Sequence, residues 1–134
     1  MMGAGTVDLI KTGKLRPLAV MYDKRVEQLP DVPAITEIYP DFSKYLPIGH
    51  FYGVFVKKGT PQDIVDTLRS AYMKAVEDPV FTDFIARLNG IKIALTGDEA
   101  RDFINKNQSN VTWLLQDAGV TKKSPEEFGI PKPR

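Results

Sequence analysis

The sequence contains no cysteine and only one histidine, His50. The absence of cysteine excludes disulfides, thiolate catalysis and cysteine-ligated metal within this chain. A single histidine also excludes a metal site built from several histidines of one chain. No apolar run approaches the roughly 20 residues that a transmembrane helix needs. These absences remove several kinds of site before any motif is considered, and neither a metal nor a cofactor is predicted.

The charge of the chain is nearly balanced, with 18 lysine and arginine residues against 17 aspartate and glutamate residues. A net charge of +1 argues against a nucleic-acid binder that works through a broad cationic face. The 134 residues, 43% hydrophobic and 26% charged, suit a single globular domain. The first six residues lack the basic and apolar regions of a signal peptide, so no signal peptide is predicted in this chain.

Capping signals predict three helices in the second half of the chain. Thr60 and Pro61 suit the N-cap and the first position of a helix whose apolar residues recur at helical spacing. Asp78 repeats such a start signal for a second helix. Thr96 has a glutamate three residues later, which is the spacing of a capping box, and Gly119 ends the helix that follows. A further helix is predicted before residue 13.

Three short apolar segments predict strands at residues 15–21, 51–56 and 91–95. Because these segments alternate with helices, the sequence predicts an α/β fold with a mostly parallel sheet flanked by helices. The loop before the second strand is rich in proline. We divide the chain into a folded part at residues 1–120 and a polar, proline-rich tail at residues 121–134.

No catalytic motif is present in the sequence. It lacks a nucleophile elbow, a zinc-protease motif and a phosphate-binding loop. A lone histidine beside aromatic residues, such as His50, is more typical of a structural or exposed residue than of a general base. No enzyme is therefore predicted. One alternative stays open, an enzyme whose site is built across a dimer from His50 and acidic residues.

Four phrases in a fixed order resemble one known family. They are Gly-Lys-Leu-Arg-Pro-Leu-Ala-Val at 13–20, Leu-Pro-Asp-Val-Pro at 29–33, Tyr-Gly-Val-Phe at 52–55 and Gly-Thr-Pro at 59–61. Together they resemble the C-terminal half of the Bug/TctC family, the extracytoplasmic solute-binding proteins of tripartite tricarboxylate transporters. The resemblance implies part of a periplasmic-binding-protein-like lobe of type II, with the leader and the N-terminal half outside this chain.

The resemblance also implies what such a chain does. Family members are periplasmic, bind small carboxylates without turnover and deliver them to membrane permease subunits. We predict Tyr22, Phe51 and Tyr52 as ligand-binding residues, since strand ends face the ligand crevice and aromatic side chains line pockets. The loops that hold the carboxylate come chiefly from the N-terminal half by resemblance, so the site in this chain is expected to be incomplete.

Part of a two-lobe receptor would expose apolar helix faces and open strand edges. The sequence therefore predicts a homo-oligomer, a domain-swapped dimer or contacts with a separate N-terminal chain. The alternative reading is a stand-alone oligomerising interaction domain that has no small-molecule ligand. No nucleic-acid partner is predicted in either case.

Overall fold

The computed structural model describes residues 4–133 and consists of helices joined by long irregular segments. The α-helices are α1 (Ala4–Lys11), α2 (Ile35–Ile38), α3 (Gln62–Glu77), α4 (Pro79–Arg87) and α5 (Gly97–Asp117). Two 3₁₀ helices span Pro40–Tyr45 and Pro125–Phe128. Met1–Gly3, within the stretch predicted to hold no signal peptide, and Arg134 of the predicted tail lie outside the described residues.

The predicted α/β fold with a parallel sheet is wrong, because residues 4–133 contain no strand. One isolated parallel bridge joins Val20 to Ala34. The peptide groups of residues 51–56 and 91–95 make no backbone hydrogen bond within that described range. A strand is held by the hydrogen bonds of its neighbours. Apolar and β-branched composition alone therefore cannot produce a strand where no second strand lies alongside.

The capping signals, in contrast, locate the helices well. Helix α3 begins directly after Pro61, one residue later than predicted. The Asp78 carboxylate accepts a hydrogen bond of 2.7 Å from the Val80 amide and caps α4, as predicted. Thr96 is the N-cap residue of α5, but its hydroxyl makes no capping hydrogen bond. Gly119 follows α5 with a φ of 71°, the left-handed conformation that glycine adopts at helix ends.

The hydrophobic core is small and lies where α1 packs against the segment that follows it. Its members are Val7, Val20, Val26, Leu29, Val32 and Ala34, with Ile10 and Tyr22 packed against them. The Val20 amide donates to the Pro33 carbonyl, and the Ile35 amide donates to the Val20 carbonyl, both at 2.9 Å. Backbone hydrogen bonds and apolar contacts together thus hold the proline-rich loop in place.

Arg25 closes this loop against α2. Its Nε lies 3.0 and 3.2 Å from the two carboxylate oxygens of Glu37, and its Nη2 lies 2.9 Å from Oε2. Its Nη1 donates to the Pro30 carbonyl at 3.0 Å. Glu37 Oε1 also accepts from the Ala34 amide at 2.9 Å. The hydrogen bonds from Arg25, and then the one from Ala34, lower the pKa of Glu37 to about 2.

The lowered pKa predicts how this contact responds to acid. The folded-state pKa of Glu37 lies below the unfolded value near 4.5, so ionised Glu37 favours the folded state above pH 4.5. That contribution is lost as the pH falls toward about 2. We expect Arg25→Gln to raise the Glu37 pKa toward 4.5, measured by NMR titration of its carboxyl group.

Arg69→Gln is the control for this titration. Arg69 forms an exposed ion pair with Asp66 on α3, away from Glu37. This substitution should leave the pKa of Glu37 unchanged. A Glu37 pKa that stays near 2 in Arg25→Gln would show that Arg25 is not the main cause of the shift.

Buried polar side chains fasten α5 to the loop that precedes residue 51. Asn110 is only 1% exposed, and its Nδ2 donates to the Pro47 carbonyl at 3.2 Å. Asn107 Nδ2 donates to the Gly49 carbonyl at 3.3 Å. Since buried amides are costly to leave unpaired, these two bonds fix where the loop crosses the helix.

The same helix holds the C-terminal segment. Ser109 Oγ donates to the Pro131 carbonyl at 2.6 Å, and Trp113 Nε1 donates to the Ile130 carbonyl at 3.2 Å. The ammonium of Lys132 lies 5.2 Å from the centre of the Trp113 ring, within range of a cation–π contact. The segment predicted as a polar tail is thus docked on α5 through its backbone carbonyls.

Helices α3 and α4 contact each other, yet several of their large apolar residues face solvent. The exposed ones are Ile64 and Leu68 on α3 and Val80 and Phe84 on α4. Val76 is the buried residue of α3, and α4 has none among the described residues. The apolar stripes predicted from the sequence are therefore present but only partly covered within residues 4–133.

Candidate functional site

The three predicted ligand-binding residues occupy different surroundings. Tyr22 is half-buried and packs against the N-terminal core. Burial raises the pKa of its hydroxyl, and the neighbouring carboxylate of Asp23 raises it further. The phenol is therefore neutral over the physiological range and can donate a hydrogen bond to a ligand.

Phe51 and Tyr52 are neighbours in sequence but differ in environment. The Phe51 ring meets the ring of Phe103 on α5 edge to face, with centroids 5.7 Å apart and planes at 86°. Tyr52 is 97% exposed. Within residues 4–133, no aromatic contact joins Tyr22, Phe51 and Tyr52 to one another. Their role in ligand binding stays a prediction, and this chain alone does not gather them into one pocket.

Two shallow hollows lie elsewhere on the surface. One, of about 520 Å³, runs along α3 and is lined by Asp66, Thr67, Ser70, Ala71 and Lys74. The other, of about 350 Å³, lies between α5 and the C-terminal segment and is lined by Asn105, Gln108, Phe128, Gly129, Ile130 and Pro131. Neither includes a predicted ligand-binding residue, and both are too open to enclose a small molecule as ligand pockets do.

The charged and polar groups that lie close to the predicted residues along the chain are engaged elsewhere or exposed. Arg25 is held by Glu37 and Pro30, so a ligand carboxylate would have to compete with an existing bidentate ion pair. Thr60, at the start of α3, donates its hydroxyl to the Lys57 carbonyl at 2.7 Å. His50 is exposed.

Sequence reasoning missed the buried asparagines Asn107 and Asn110. A signal was available, because the two residues are three apart and share a helix face with Phe103 and Leu114. Asparagine on an otherwise apolar face predicts a buried hydrogen bond. In the structure this pair positions the loop from which Phe51 and Tyr52 emerge.

Among residues 4–133, no group of three histidine, cysteine, aspartate or glutamate side chains is arranged to hold a metal ion. Within the same range, no helix combines the length and apolar character needed to cross a bilayer.

Comparison with known proteins identifies a family whose model matches most of this chain. The family model described as tripartite tricarboxylate transporter family receptor matches residues 4–120. Protein BugT of Bordetella pertussis strain Tohama I is 25% identical over 115 residues, which cover 85% of this chain and 34% of BugT. A Cupriavidus necator protein described as UPF0065 protein in gbd 5′ region is 24% identical over 113 residues, covering 84% of this chain and 33% of its own length.

A third relative, from Pseudomonas sp. strain P51, is described as UPF0065 protein in tcbD-tcbE intergenic region. It is 36% identical over 83 residues, covering 60% of this chain and 23% of the relative. No solved structure matches the chain. The chain spans about a third of the length of the first two relatives, whereas the resemblance implied about half.

The matched family consists of receptors and not of enzymes. This agrees with the prediction that the chain is not an enzyme. The match over residues 4–120 also confirms the resemblance drawn from the four sequence phrases. The chain therefore belongs to the family of tripartite tricarboxylate transporter receptors, as a partial chain.

Proposed function

We propose that this chain is part of an extracytoplasmic receptor that binds a small carboxylate for a tripartite tricarboxylate-type transporter. The observation that carries the proposal is the family match over residues 4–120. A periplasmic location and delivery of the ligand to membrane permease subunits belong to the same proposal. The activity is binding and release of an unchanged ligand.

The ligand site within this chain is incomplete under this proposal. Tyr22, Phe51 and Tyr52 stand in separate surroundings, and the two hollows described above are open. The first two relatives are about three times as long as the matched segment. We propose that their additional residues complete the pocket, so that this chain alone has little affinity for carboxylates.

The test compares this chain alone with a chimera in which it replaces the matched segment of BugT. Thermal unfolding and calorimetry are run with citrate, succinate and glutamate. We expect one of these carboxylates to stabilise the chimera, by about 2.7 kcal/mol at 100 times the dissociation constant, and to leave this chain alone unchanged. The corresponding uncharged amides should have no effect on either protein.

Matched tyrosine variants of the chimera test the predicted site. Tyr52→Ala should weaken carboxylate binding at least about tenfold, which is the loss expected for a good aromatic contact. Tyr39→Ala removes another exposed tyrosine that is not predicted to touch ligand and should leave affinity unchanged. A folded chimera that binds none of the three carboxylates would contradict the proposed function.

A second candidate function is a stand-alone oligomerising domain without a small-molecule ligand. The observation that favours it is the extent of exposed apolar surface, which includes Tyr52, Phe55, Val80 and Phe84. Oligomerisation is compatible with the receptor proposal as well. The two candidates differ in whether a carboxylate binds once the remaining receptor residues are supplied.

A further inference from the structure

Two buried asparagines of α5 hold the backbone of the loop that leads to residue 51. Asn110 is 1% exposed and donates to the Pro47 carbonyl at 3.2 Å. Asn107 is 7% exposed and donates to the Gly49 carbonyl at 3.3 Å. The two amides are three residues apart, so they lie on one face of the helix. A buried hydrogen bond to a carbonyl fixes the backbone at one point, which apolar packing alone does not do.

A third contact on the same face of α5 extends this row to Phe51. Phe103 lies one turn before Asn107, and its ring meets the Phe51 ring edge to face with centroids 5.7 Å apart. Successive turns of α5 thus hold residues 47, 49 and 51 in order, and the loop runs antiparallel to the helix. The contacts fix both the position and the direction of the chain where it reaches residue 52.

Tyr52 is the first residue beyond these contacts, and it has none of its own. Its side chain is 97% exposed, and its peptide group makes no backbone hydrogen bond within residues 4–133. The next backbone hydrogen bond along the described chain joins the Thr60 amide to the Lys57 carbonyl. The position of the Tyr52 phenol is therefore set by the loop that precedes it. A phenol O–H in this place can donate a hydrogen bond to a carboxylate.

We infer that Asn107 and Asn110 are positioning residues of the carboxylate site and act through Tyr52. They do not touch the ligand themselves, because their amides are buried and directed at the loop backbone. Their hydrogen bonds place the loop so that Tyr52 reaches the ligand without first having to be ordered, which lowers the entropic cost of binding. This inference rests on the proposed function and deepens it.

The test uses the BugT chimera with Asn107→Ala and Asn110→Ala combined, and with Ser109→Ala as the matched control. Ser109 is 5% exposed and also donates from α5 to a backbone carbonyl, but its partner is Pro131 of the C-terminal segment. In calorimetry with citrate, succinate and glutamate, we expect the asparagine pair to weaken carboxylate binding about tenfold, the loss expected for Tyr52→Ala. Ser109→Ala should leave the affinity unchanged.

A double-mutant cycle tests whether the asparagines act through Tyr52. When Tyr52→Ala is added to the asparagine pair, the affinity should stay about tenfold below that of the unsubstituted chimera, whereas independent effects would multiply to about 100-fold. Asn107→Ala alone repeats the cycle with a single truncation, so the test holds even where the pair does not fold. A merely structural role of the asparagines would not produce this coupling to Tyr52.

The contact between the rings of Phe51 and Phe103 tests the first step in this chain alone, without any ligand. Nuclear Overhauser effects between the two rings should be present in the wild type and in Ser109→Ala. They should be lost when Asn107 and Asn110 are replaced by alanine, since the loop is then no longer held along α5. Effects retained in the asparagine pair would overturn the inference even where the chimera binds a carboxylate.

The remaining outcomes separate this inference from the proposed function. Multiplying effects in the cycle, or a loss of affinity in Ser109→Ala equal to that in the asparagine pair, would overturn the inference alone. So would a Tyr52→Ala chimera that melts at a lower temperature with unchanged affinity, because other receptor residues, and not the ligand, would then cover this ring. An unsubstituted chimera that binds none of the three carboxylates would contradict the proposed function, and the inference with it.

Discussion

Replacing Trp113 with alanine is expected to lower the free energy of unfolding by about 3–5 kcal/mol, the range for large-to-small changes of buried aromatic residues. Trp113 is 8% exposed, and its indole donates to the Ile130 carbonyl while Lys132 lies over its ring. The substitution therefore removes apolar packing, a hydrogen bond and a cation–π contact at once. The C-terminal segment should detach from α5 and become sensitive to protease.

Urea denaturation followed by circular dichroism measures this effect, because Trp113 is the only tryptophan and its removal abolishes the fluorescence signal. Trp113→Phe should cost less, since it keeps an aromatic ring and loses mainly the hydrogen bond, worth about 1 kcal/mol. Leu115→Ala on the exposed side of α5 is the control, with an expected change within about 0.5 kcal/mol. Equal effects of Trp113→Ala and Leu115→Ala would contradict the role given to the indole.

The helices were predictable from the sequence because their signals are local. Asp78 caps α4 through an amide two residues away, and Gly119 ends α5 within one turn. Both interactions involve neighbours along the chain, so residue type and spacing suffice to predict them. The capping box predicted at Thr96 is also a local signal, but it is wrong. Thr96 occupies the N-cap position of α5, and its side chain makes no capping hydrogen bond.

The sheet was not predictable because strand pairing depends on residues distant in sequence. Residues 15–21, 51–56 and 91–95 have the composition of strands, but composition does not reveal whether a second segment lies alongside. Within residues 4–133, strand-like pairing is limited to the isolated bridge between Val20 and Ala34. The segments at 51–56 and 91–95 make no backbone hydrogen bonds and remain irregular.

The family was predictable to a greater extent than the site. The ordered phrases at residues 13–20, 29–33, 52–55 and 59–61 fall within the matched range 4–120, and together they were sufficient to recognise the receptor family. The placement of ligand-binding side chains depends on how distant segments meet. The sequence therefore could not show that Phe51 turns toward Phe103 while Tyr52 faces solvent.

A second large loss of stability is expected for Leu29→Ala in the N-terminal core. Leu29 is 6% exposed and belongs to the cluster that holds α1 against the proline-rich loop. Truncation of a buried leucine costs about 2–5 kcal/mol, because transfer energy is lost and a cavity remains. The effect should be at the upper end of this range, since the cluster is small and its other members are mostly valines that cannot extend into the space.

Leu18→Ala is the matched control, because Leu18 lies in the same region of the chain and is 79% exposed. Its substitution should change the free energy of unfolding by no more than about 0.5 kcal/mol. Urea denaturation monitored by circular dichroism compares the two variants. The resonances of Val26 and Val32, whose backbones are hydrogen-bonded to that of Leu29 and which belong to the same cluster, should shift in Leu29→Ala and not in Leu18→Ala. Comparable stability of both variants would show that the cluster is not the core that holds this end of the protein together.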